Sequence, residues 1–174
     1  MSLIQDIIQG EIIFPRRFSN VEERDYGILY HTTEIPDSHD GNHACILHPA
    51  DVDAVVADVD EFYRRKGLTP RAYRISQPGE GRELRLAFEA TGFQIREHHN
   101  PIYIHSRPSC IRPVDGLAIR RVESPPPELL AMIEQSDSPR AMKVVRRSLT
   151  CPTYHLLVGF HQDQPVTMAA VERA

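Results

Sequence analysis

From Asp51 to Gly67 the apolar side chains recur at steps of three and four: Val52, Val55, Val56, Val59, Phe62 and Tyr63. That spacing gathers them on one stripe of a helix and leaves Asp53, Asp58, Asp60 and Arg64 on the opposite face. The ends of the segment agree with its middle. Asp51 is placed to cap the first free backbone N–H groups, Arg64, Arg65 and Lys66 stand by the last carbonyls, and Gly67 can take the left-handed turn that closes a helix. A second helix is expected in "GRELRLAFEATGF", where Leu84, Ala87, Phe88 and Thr91 share a face and Gly92 holds the stop position. Four stretches rich in aromatic and β-branched residues, "YGILYHTT", "HACIL", "TPRAYRIS" and "NPIYIHS", read as strands bounded by turn formers. Up to about residue 107 the order is helix, strand, strand, helix, strand, helix, strand, which predicts an α/β chain of the α+β kind, a mixed sheet covered by helices.

The pattern then breaks. "SRPSCIRPVDG" holds two prolines and a glycine without periodicity, so residues 108–116 read as a linker between a unit over 1–107 and another over 117–174. The second unit opens with the strand "LAIRRVES" and continues with two helices, "PPPELLAMIEQS" and "SPRAMKVVRRSL". It closes with two strands, "YHLLVGF" and "PVTMAAVER", about the polar turn "HQDQP". An apolar strand left at the edge of a sheet is a template for another chain, so a homodimer through the edge near Val166–Val171 is expected.

Composition narrows the partners. The chain has 174 residues, 41% hydrophobic and 25% charged, with a formal net charge of −4. No segment approaches the roughly 18 consecutive apolar residues of a membrane helix, and the mild acidity without a Lys/Arg run offers no footprint for nucleic acid. "MSLIQDIIQGEIIF" has neither the basic opening nor the apolar run of a secretory signal, which makes a cytoplasmic location the expectation. Cys45, Cys110 and Cys151 are odd in number and far apart, so they read as small apolar groups rather than disulfides or a zinc site.

Candidate chemistry is sparse. "HTTEIPDSHDGNHACILH" gathers His31, His39, His43 and His48 with Glu34, Asp37 and Asp40, a set of groups that suits zinc. His39 and His43 are the weak metal candidates, but the spacing is no known ligand motif. The stretch also reads as a polar connection between strands, so no metal is expected. His98 and His99 are adjacent and point to opposite faces of an extended chain. Arg140, Lys143, Arg146 and Arg147 form a basic helix face, which reads as solvated or, through Arg140, Lys143 and Arg147, as the lining of a groove for an acidic substrate. No nucleophile elbow, phosphate-binding loop or H-E-x-x-H occurs.

"GRELRLAFEATGFQI", through Leu84, Leu86, Phe88, Gly92 and Phe93, resembles the helix-to-strand passage of the GNAT superfamily of N-acyltransferases. The strand, two helices, strand, tight turn and strand of residues 117–174 resemble the start of the same fold, with Gln164, Pro165 and Val166 at the end of the turn. The resemblance implies tandem units on a GNAT-like fold, a central, mostly antiparallel sheet flanked by helices. It also implies acetyl-CoA as cofactor, a small-molecule or peptide amine as substrate, and Glu172 as a weak candidate for the carboxylate that takes the amine's proton. The family's pyrophosphate loop, Arg/Gln-x-x-Gly-x-Gly/Ala, is not visible in either unit. The second unit stops short of it, and in the first the matching helix starts with Pro49, Ala50 and Asp51 in place of glycines. The expectation is an N-acetyltransferase portion inactive alone, with a non-catalytic, self-associating binding module as the alternative.

Overall fold

A computed structural model describes residues 3–48, 51–75, 81–96, 114–136 and 139–172. In chain order its elements are α1 (Leu3–Arg16), β1 (Asn20–Arg24), β2 (Gly27–His31), β3 (His43–Ile46), α2 (Val52–Arg65), β4 (Ala72–Ile75), α3 (Gly81–Ala90), β5 (Leu117–Val122), α4 (Pro127–Ser136), α5 (Pro139–Ser148), β6 (Tyr154–His161) and β7 (Gln164–Glu172).

The helices expected over 51–67 and in "GRELRLAFEATGF" both form, as α2 and α3, and each ends by the same device. In α2 the Asp51 carboxylate accepts from the Asp53 N–H at 3.0 Å and the Ala54 N–H at 3.5 Å. At its other end, Gly67 N–H bonds to the Arg64 carbonyl and Leu68 N–H to the Tyr63 carbonyl. In α3 the same pair recurs, Gly92 to Glu89 and Phe93 to Phe88. This double bond pattern needs a residue in the left-handed region, and Gly92 supplies it at φ +90°. The Phe93 ring then folds back edge-on to Phe88, with centroids 5.3 Å apart, and also meets Tyr73 of β4.

The first four strands form one sheet in the order β1-β2-β3-β4. The pairs β1–β2 and β2–β3 are antiparallel, whereas β3–β4 is parallel, because α2 carries the chain back across the sheet between them. The last three strands make a separate antiparallel sheet, β5-β6-β7. The chain is thus α+β, with a mixed four-stranded sheet and an antiparallel three-stranded one. "YGILYHTT" gives a strand only as far as His31, and "TPRAYRIS" only over Ala72–Ile75. β1 was not expected from its sequence, "NVEER", and "NPIYIHS" and most of the expected linker, residues 108–116, lie outside the described residues.

Alternation along β2 and β3 sorts their side chains to two cores. Leu29, Ala44 and Ile46 pack under Val52, Val55, Val59, Phe62 and Tyr63 of α2 and Leu84 and Phe88 of α3. Ile28, Tyr30 and Cys45 face the other way, against Ile12 of α1. At the hairpin end, Asp58 of α2 accepts from the Tyr26 hydroxyl at 2.6 Å and Arg24 Nε at 3.0 Å, which ties the β1–β2 hairpin to the helix. Burial works against the charge of Asp58, but these two bonds, together with the positive charges of Arg24 and Arg65, hold its carboxyl below the usual range. A third core joins Leu156, Val158 and Phe160 of β6 to Leu129 and Ile133 of α4 and Met142 of α5. The β6–β7 turn places Gln162 and Asp163 at φ 51° and 60°, the left-handed pair that a two-residue hairpin turn requires.

Two glycine-to-alanine substitutions should separate conformational strain from steric exclusion. A Cβ on Gly92 meets no atom within 4 Å, so Gly92→Ala should cost only the left-handed strain, about 1 kcal/mol. A Cβ on Gly27 would stand 2.0 Å from the Cys45 carbonyl oxygen, so Gly27→Ala must open the β2–β3 ladder and lower stability several-fold more. Urea denaturation midpoints of the two variants check this; equal midpoints would refute it.

Candidate functional site

Where β3 ends and α2 begins, a parallel crossover places a helix N-terminus beside the carboxyl end of a strand. Anions bind at such a place when the first N–H groups are free. Here they are not free, because Asp51 sits at the cap with extended φ and ψ and its own carboxylate takes the N–H groups of Asp53 and Ala54. Asp53 adds a second acid to the first turn. Pro49 and Ala50 lie outside the described residues. Chemically this terminus is already occupied by negative charge.

The histidine-rich connection between β2 and β3 is a loop folded on itself. Asn42, fully buried, accepts from the Thr32 N–H at 2.9 Å through its Oδ1 and donates to the Ile35 carbonyl at 2.8 Å through its Nδ2. Ser38 Oγ accepts from the Gly41 N–H, and the Asn42 carbonyl accepts from the Arg71 N–H just ahead of β4. The two metal candidates are not equivalent. His39 is exposed, whereas His43 is buried, its ring stacked on Tyr30 with centroids 4.7 Å apart and its Nδ1–H donating to the Asp40 carbonyl at 3.0 Å. Burial pushes the His43 pKa down to about 4, and the nearby Arg74 guanidinium, paired with Asp40, adds to the fall. Among the described residues no group of three or more His, Cys, Asp and Glu side chains is placed to hold a metal ion.

The basic face of α5 is not simply solvated. Lys143 Nζ donates to the Glu34 carbonyl at 2.9 Å, and the Arg147 guanidinium forks between Glu34 Oε1 at 2.8 Å and Asn20 Oδ1 at 3.1 Å. Two of the three groove candidates are therefore engaged elsewhere in the chain, at the start of β1 and in the β2–β3 loop. Arg146 is exposed, and the Arg140 side chain lies outside the described residues. Protein-family models, curated proteins and solved structures give no match to this chain.

Glu172 closes β7 opposite Tyr154, with its side chain outside the described residues, as are His98, His99 and Cys110. Cys45 is buried and Cys151 half-buried, and neither forms a disulfide among the described residues. No helix among the described residues is long and apolar enough to cross a membrane. What the residue pattern did not reveal is the loop's organiser, Asn42, and the partner of the α5 cations. The one signal for Asn42 was its position in "DGN", directly before an apolar strand, where a side-chain amide commonly closes a turn.

The buried neutral His43 should make folding pH-dependent. A histidine in the unfolded chain titrates near about 6.5, so between that pH and about 4 the unfolded state takes a proton that the folded state refuses. Its contribution is whole above about 6.5 and is lost as pH falls toward 4, on the order of 3 kcal/mol across the window. His31, whose pKa burial also lowers, acts in the same direction. Urea midpoints at pH 7.5, 6 and 5 should fall steadily, and His43→Phe should flatten the slope; a slope unchanged in the variant would refute the assignment.

Proposed function

We propose that this chain is a GNAT-like N-acyltransferase portion whose two units supply scaffold and substrate-side surface rather than the acyl-CoA site. What carries the reading is the order and pairing of elements. In the second unit a strand, two helices and an antiparallel strand pair, β5-α4-α5-β6-β7, follow the order of the family's opening. In the first, three antiparallel strands lead through a crossover helix to a parallel strand and then to a helix that exits by Gly92-Phe93. Acetyl-CoA is the cofactor of this reading and a small-molecule or peptide amine its substrate. Asp51 closes the first unit's helix start to pyrophosphate, so the 174-residue chain should give no heat and no thermal shift with acetyl-CoA. Binding there would overturn the scaffold role. The acyltransferase reading itself is tested by thiol release from acetyl-CoA across a panel of amines with the natural gene product, and silence over the whole panel counts against it.

A second reading, a non-catalytic module that pairs with its own copy, is favoured by β7. That strand is hydrogen-bonded on one side to β6, and Val166, Met168 and Val171 along it are 47%, 42% and 50% exposed. No charged residue interrupts it from Gln164 to Val171. Light scattering should then show a dimer that Ala169→Lys, a charge on the open edge, returns to monomer. A wild-type mass that stays monomeric at the highest soluble concentration would end this reading.

A further inference from the structure

Each of the three apolar clusters lies within one unit: the two about the first sheet draw on residues before Arg96, and the third on residues after Gly116. Several polar contacts bridge the units. Lys143 and Arg147 of α5 hold the Glu34 carbonyl and carboxylate and the Asn20 amide oxygen. Nearby, the Arg17 guanidinium lies between two rings, 4.9 Å from the centroid of Phe14 in its own unit and 5.3 Å from that of Tyr154 at the start of β6. All of these depend on a cation, and none is sealed from water: the Arg147 side chain is 25% exposed and that of Glu34 58%.

We propose that the two units are docked by a charge latch, Lys143 and Arg147 closing on Glu34 and Asn20, which opens as ionic strength rises while each unit stays folded. Partly exposed ion pairs weaken with salt because the screening length shrinks from about 8 Å near physiological ionic strength to about 3 Å at 1 M. The apolar clusters inside each unit do not depend on ionic attraction, so salt acts on the junction and not on the cores. In the closed state Glu34 occupies both cations; in the open state Lys143 and Arg147 face solvent. An interface held by polar groups behaves as a transient contact between domains.

The test uses small-angle X-ray scattering on the monomeric fraction of the 174-residue chain, collected at low salt and at about 1 M NaCl, with far-UV circular dichroism on the same samples. The expected result is a larger radius of gyration at high salt with an unchanged dichroism spectrum. Glu34→Gln and Arg147→Met should be expanded already at low salt and respond little to more. Glu34 is exposed, so its variant folds even if Arg147→Met does not. The proposal is overturned by an equal radius of gyration at both salt levels in the wild type, by Glu34→Gln behaving as wild type, or by an expansion that comes with loss of dichroism.

Discussion

Tyr30 lies between two helices and is bonded to both: its hydroxyl donates to the Ile12 carbonyl of α1 at 2.8 Å, and its own carbonyl accepts from the Tyr63 hydroxyl of α2. A buried hydroxyl left unpaired costs about 1–3 kcal/mol, so each bond holds its helix to one position along the strand. Apolar packing alone would tolerate sliding, because hydrophobic attraction has no direction. The neighbouring β3 is buried on both faces as well. His43, paired with Tyr30 across the two strands and stacked on its ring, is held in the core.

The parts of the fold that were legible in the sequence are those set by neighbours within a few positions. The caps of α2, the Gly92-Phe93 exit and the "HQDQP" turn each depend on local hydrogen bonds or on a positive φ, and each appears where the residues indicated. β1 was invisible for a physical reason. An edge strand with its outer side in water needs little apolar content, and Val21 is the single apolar residue in "NVEER". The α5 cations illustrate the opposite limit. Their spacing revealed a basic face, but Glu34 and Asn20 stand 109 to 127 positions away in the chain, and no local pattern encodes such a pairing.

The two sheets differ in how they are covered, and this bears on both functional readings. The first has helices on both faces, α1 against one and α2 with α3 against the other. In the second, α4 and α5 cover the face of Leu156, Val158 and Phe160. The opposite face carries Ile119, Gly159 and Thr167 in one cross-strand row, and Ile119 is 67% exposed. Gly159 is needed in that row because a Cβ would come within 2.6 Å of Thr167 Cγ2 and 3.2 Å of Leu117 Cδ1, so the flanking side chains lean over a bare position.

The edge of this sheet is unevenly protected. Phe160 pairs with Pro165 and Gly159 with Thr167, so Val166 is an extra residue that bulges the strand, directly after a proline that has no N–H to offer. Both features blunt an edge, but they stop at Val166. From Thr167 to Val171 the strand is regular, uncharged and exposed, with its outer N–H and C=O groups unpaired by the described strands. Any strand that adds to this sheet, from the same chain type or another, would therefore register on that five-residue stretch and not on the turn. Because the stretch is flanked by Asp163 before the bulge and Glu172 after it, the same edge resists a partner strand that ends in acids.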